Sequence, residues 1–137
     1  MKNIFTCVVL LSGTVASAED AYFNQTCNFT VECVEQESCN ATDYDVAIEY
    51  GFTPLDDKPT DGVGSGKAID AAATRRVIVT HSDGAFVANA VDFTSGRTIS
   101  EEIFSVISTK DGEARLMTAL PDVPMVITYH GTCQGDK

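Results

Sequence analysis

Four cysteines, Cys27, Cys33, Cys39 and Cys133, constrain this 137-residue chain more than any other feature. Read as a strand, residues 26–33 place Cys27, Phe29, Val31 and Cys33 on one face and Asn28, Thr30 and Glu32 on the other, because strand side chains alternate. Four cysteines allow three pairings. Cys27 with Cys33 fails, since six residues at about 3.3 Å each separate them by ~20 Å, well beyond disulfide reach. Cys27 with Cys39 would need a partner strand that returns too early. The spacing therefore predicts Cys33–Cys39 clipping the first turn and Cys27–Cys133 joining the first strand to the last. Parity puts Cys27 and Cys33 inside, where thiols are inert, which argues against a catalytic pair.

An even cysteine count suggests disulfides only if the chain leaves the cytoplasm, and its start says that it does. Residues 1–18 read as a secretory signal: Lys2 supplies the charge, 4–11 the apolar run, and Ala16-Ser17-Ala18 the small-residue cleavage site. The run is well short of the roughly 20 residues of a spanning helix, so no membrane span is expected. Cys7 departs with the signal. Residues 19–137 then form a single domain in the periplasm or medium, and no C-x-x-C pair suggests zinc or redox chemistry.

The net charge of −11 makes nucleic acid an unlikely partner, because phosphate binding wants a basic surface. The charge is also uneven. Residues 19–66 hold eleven acids against Lys58 alone, whereas 67–137 hold nine acids against seven bases. One end or face should be strongly negative, as serves solubility or the steering of a basic partner. Glu32, Glu35, Glu37, Asp56, Asp57 and Asp61 are the candidate partner-binding residues in that half.

The clearest strand is 43–50, with Tyr44, Val46, Ile48 and Tyr50 on one face and Asp43, Asp45, Ala47 and Glu49 on the other. Residues 53–66, with Pro54, Pro59, Gly62, Gly64 and Gly66, read as a long flexible acidic loop. Residues 67–76 admit a helix or an edge strand. From Val77 the pattern is β. A strand over 77–80 turns at Ser82-Asp83-Gly84 into 85–93, where Ala85, Val87, Val91 and Phe93 share a parity. Ser95-Gly96, Asp111-Gly112 and 121–124 mark further turns between 103–109, 114–120 and a last strand with Met125, Ile127, Tyr129 and Cys133 on its inner face. Seven or eight short strands on tight turns predict an all-β antiparallel meander closing into a barrel or a two-layer sandwich.

No motif reaches a mechanism. Asp61 and Ala68 spoil the phosphate-loop reading of the Gly62–Lys67 stretch, and Pro59 and Ala68 spoil a calcium-loop reading from Asp57. His81 and His130, the only histidines, read as surface or turn residues rather than triad members. Glu101-Glu102 would point to opposite faces of an extended chain. Asn24, Asn28 and Asn40 head triplets of the N-glycosylation type, a pattern frequent by chance in Asn/Thr-rich stretches. No catalytic residue, metal or cofactor is expected.

Cys27-x5-Cys33-x5-Cys39 near the mature start, Asp111-Gly112-Glu113-Ala114-Arg115, and Tyr129-His130-Gly131-Thr132-Cys133 together resemble small exported bacterial β proteins whose role is uncharacterised. More distantly, a small barrel tied end to end by a disulfide resembles the periplasmic inhibitors of c-type lysozyme. Ser82-Asp83-Gly84-Ala85-Phe86 echoes their serine-containing loop in part, and their Gly-Tyr/Trp-rich hairpin has no counterpart in a chain without tryptophan. The expectation is a non-enzymatic exported binding module or inhibitor that meets a basic protein through its acidic loop-rich end. A carrier of a small apolar ligand is the alternative, and a hydrolase ranks third.

Overall fold

The computed structural model describes residues 21–35, 37–91, 103–120 and 125–135. Alternating side chains build eight strands: β1 (Ala21–Val34), β2 (Asn40–Leu55), β3 (Lys58–Ile69), β4 (Thr74–Ser82), β5 (Ala85–Ala90), β6 (Ile103–Ser108), β7 (Glu113–Leu120) and β8 (Met125–Gly135). Each pairs antiparallel with the next, and β8 returns to β1, so the sheet is a closed barrel rather than a sandwich. Closure leaves none of the eight described strands at an edge. The seam carries the Cys27–Cys133 disulfide, and Cys33–Cys39 clips the β1–β2 turn.

The core is the barrel interior. Phe29, Val46, Ile48, Val77, Val79, Val106 and Leu116 are fully buried there, as the period-two reading of β2 implies. In β1 that reading holds only as far as Phe29. Register shifts between Phe29 and Val31 against both neighbouring strands, and such a bulge moves every later side chain to the other face. Val31 and Cys33, expected inside, therefore pair with the outward-facing His130 and Thr128, and Val31 is 37% exposed. Glu32 turns inward instead. The parity expected for 85–93 is also reversed: Phe86 and Ala88 are buried, while Ala85 and Val87 are only half-buried.

The largest correction concerns 53–66, which is two strands and a tight turn at Asp56-Asp57, not a loop. Gly62, Gly64 and Gly66 are strand residues that pair with Pro54, Phe52 and Tyr50. They are there because β2 and β3 approach too closely for a side chain. A Cβ on Gly64 would lie 1.8 Å from the Gly51 carbonyl oxygen, and one on Gly66 would lie 2.0 Å from that of Glu49. Residues 67–76, left open between helix and edge strand, are neither alone. They comprise the end of β3, a turn at 70–73 and the start of β4.

Of the Asp-Gly turns, Asp83-Gly84 has positive φ at both residues (47° and 81°), the hairpin geometry the sequence predicts. At Asp111-Gly112 only Gly112 is left-handed, and its N–H donates to the Thr109 carbonyl. The signal over 1–18, Phe93, the turns at Ser95-Gly96 and 121–124, and Glu101-Glu102 lie outside the described residues.

Candidate functional site

Two aromatic layers fill the barrel. Near the β2–β3 turn, Phe23 of β1 stacks on Tyr50 and Phe52 of β2 at 5.4 Å each and on His81 of β4 at 5.0 Å, while Phe86 of β5 closes on Tyr50 at 5.6 Å. His81 is thus not the surface residue its neighbours Ser82-Asp83 suggest. It is 6% exposed, and its Nδ1 lies 2.7 Å from the Thr60 carbonyl oxygen, which can only accept, so Nδ1 carries the proton. The Tyr50 hydroxyl is buried without a hydrogen-bond partner among the described residues. Burial pushes it up to about 12; the Gln25 amide acts in the opposite sense, but not through a hydrogen bond of normal geometry.

At the other end Phe29, Tyr44 and Tyr129 form a second cluster, with Tyr44 and Tyr129 5.1 Å apart. The Tyr44 hydroxyl donates to Asp70 Oδ2, which also takes Arg75 Nη1 at 2.6 Å. Asp70 Oδ1 accepts the Ala72 and Ala73 amides at 2.8 and 2.7 Å. Arg75 lies 4.7 Å over the Phe104 ring. Burial works to raise Asp70, but four donors more than offset it and hold the carboxyl at about 2. Burial, reinforced by the same carboxylate, drives Tyr44 well above the usual phenol range. Burial and the inward-turned Glu32 push Tyr129 up to about 12. With both oxygens engaged, Asp70 fastens the β3–β4 turn to the barrel mouth and has little capacity left for a reacting group.

Rings in mutual contact occupy the lumen, and the larger hollows bounded by described residues are external. One of about 470 Å³ lies along β4, β5 and β6 between Thr80, Val87 and Ile107; another of about 640 Å³ lies along β6, β7, β8 and β1 between Ile107, Arg115 and His130. A smaller one of about 270 Å³ runs beside the exposed Tyr22, which covers Gly51.

The six acids singled out in the sequence do not form one patch. Strand β2 runs the length of the barrel between the β1–β2 and β2–β3 turns, so Glu35 and Glu37 sit at one end and Asp56 and Asp57 at the other. Asp61 braces the β4–β5 hairpin: its Oδ1 accepts from Ser82 Oγ at 3.1 Å and from the Asp83 amide at 3.2 Å. Those bonds outweigh desolvation and lower its pKa. Glu32 faces Tyr129 inside.

What sequence reading missed is the continuation of Glu35 and Glu37 down the outside of β2. Asp43, Asp45 and Glu49 project from alternate positions there, and Asn28 Nδ2 donates to Asp43 at 3.2 Å and to Asp45 at 2.8 Å. The signal was present in the alternation of 43–50, where the polar half reads as an ordinary solvent face. Residues 21–55 contain no Lys or Arg, so these carboxylates have no base on their own hairpin, and Glu49 alone meets one across the β2–β3 ladder, Lys67.

Fold and surface together define a closed eight-stranded antiparallel barrel with a filled lumen, two disulfides and one acidic outer face. Compared with protein-family models, curated proteins and solved structures, the chain matches none. Its two disulfides are consistent with an oxidising environment. Among the described residues no helix is long and apolar enough to cross a membrane.

Proposed function

We propose that this protein is an exported, non-enzymatic binding module or inhibitor, and that it engages a basic protein through the outer face of the β1–β2 hairpin. The observation that carries this reading is the run of Glu35, Glu37, Asp43, Asp45 and Glu49 on a hairpin without a single base. Asn28 holds two of these carboxylates side by side, which pre-organises them for one cationic group. The likeness to periplasmic lysozyme inhibitors names one basic partner of the right chemistry, c-type lysozyme. The disulfides and the signal-like start support a periplasmic or secreted location.

The carrier reading draws no support from the lumen, where Phe23, Tyr50, Phe52, His81 and Phe86 occupy the space a ligand would take.

The test is a titration of c-type lysozyme, as a basic probe, into the oxidised mature protein at low and high salt. Binding that weakens steeply with salt, and weakens further in the variant carrying Asp43→Asn, Asp45→Asn and Glu49→Gln, supports the reading. Binding indifferent to both, or none to lysozyme or to other basic proteins of the envelope, removes it.

A further inference from the structure

Ile107 stands on the outer face of β6, 49% exposed, and forms the shared wall of the two largest external grooves described above. Register places Val87 of β5 and Arg115 of β7 on either side of it, followed by His130 of β8 and Val31 of β1. Met117, 43% exposed, and Ile103, 50% exposed, lie farther along β7 and β6 on the same face. The outside of β5, β6 and β7 therefore carries the apolar side chains Val87, Ile107, Met117 and Ile103, interrupted by Asn89, Ser105 and Arg115, with a hollow on each flank of Ile107. Scattered single apolar residues need no explanation, but Val87 and Ile107, cross-strand partners between two grooves, form a paired patch that does.

The charges around the patch say what could cover it. One groove carries Asp83 and Lys110, the other Glu113 and Arg115, one acid and one base each. None of these four side chains is in an ion pair with another described residue. A chain of net charge −11 repels its own copies over most of its surface, whereas each of these two grooves is lined by one acid and one base. Alternating acid and base on one strand is also the pattern a twofold contact can satisfy, since each copy then offers what the other needs.

We propose that the β5–β7 face is the contact between two copies of this chain. The two patches pack with Ile107 of each copy in the groove beside the partner's Ile107, and Arg115 meets the partner's Glu113 on both sides of the axis. The β1–β2 hairpins stay outside the contact, so a dimer presents two acidic faces. This inference stands independently of what those faces bind.

Sedimentation velocity of the oxidised mature protein, from micromolar to near-millimolar concentration, tests it. The wild type shifts toward twice the monomer mass as concentration rises. Ile107→Glu, an outward-facing change that leaves the core intact, weakens the association by about tenfold or more. Arg115→Glu weakens it as well, and adding Glu113→Arg restores it, because a reciprocal pair is re-formed with the signs exchanged. Asp45→Asn, on the opposite face, leaves it unchanged. A wild type that stays monomeric throughout, or a dimer that ignores Ile107→Glu and the charge exchange, overturns the proposal.

Discussion

Cys27 and Cys133 stand directly opposite one another as Cα partners across the β1–β8 seam, and their disulfide spans 106 residues of sequence. Every other strand pair in the barrel joins strands that are neighbours in sequence. The seam alone has to bring the ends of the chain together, and the covalent link is placed where that closure is entropically most costly.

The two disulfides should consequently differ in worth. In the chain-entropy model the 106-residue link stabilises by about 5 kcal/mol and the 6-residue clip by about 2 kcal/mol. Urea unfolding of the paired serine variants Cys27→Ser/Cys133→Ser and Cys33→Ser/Cys39→Ser should reproduce that order, the first pair lowering the midpoint much further.

Asp70 predicts an acid limb of stability. Its folded pKa of about 2 lies below the ordinary value of 3.8, so its contribution is complete above pH ~4 and is lost as the pH falls through 2. That shift corresponds to about 2 kcal/mol. Asp70→Asn should flatten this part of the stability profile while lowering stability near neutrality. Tyr129, raised to about 12, has the opposite sign: its contribution is complete below pH 10 and fades as the pH rises through 12.

Gly64→Ala should be among the most damaging single changes, because its methyl would enter the Gly51 carbonyl and force β2 from β3. A loss of about 3 kcal/mol or more is expected, by the overpacking of a closed core. Gly84→Ala meets nothing nearer than Lys110 Cβ at 3.8 Å and carries only the penalty of positive φ, about 1 kcal/mol. Thermal melts of the two variants measure the contrast.

Tyr50→Phe should be neutral or mildly stabilising, by up to about 1 kcal/mol, since it removes a buried hydroxyl that has no hydrogen-bond partner among the described residues. A clear destabilisation in urea would mean that the hydroxyl is satisfied after all.

The class and the disulfide pattern were legible because both rest on short-range rules: period-two alternation in β2 and the impossible span from Cys27 to Cys33. The rest turned on contacts between strands. Glycines in 62–66 signal flexibility to a local reading, yet their positions answer the approach of the β2 backbone, a neighbour no local window contains. The bulge after Phe29 has no turn residue to announce it and still reversed the faces of Glu32 and Cys33. His81 beside Ser82-Asp83 looks like a hairpin tip; Phe23 and Phe52, distant in sequence, make it an interior ring. For the acidic surface, the sequence showed the excess of charge in 19–66 but not its partition, because the direction of β2 decides which acids share an end.

The closed seam is what places every residue discussed above, and backbone NOEs of the oxidised protein test it most directly. Contacts between Glu32 and Tyr129, and between Val34 and Ile127, are expected in solution, well beyond the reach of the disulfide at Cys27 and Cys133. If β1 and β8 instead show NOEs only beside that disulfide, the sheet is open, and the filled lumen and the two outer faces fall with it.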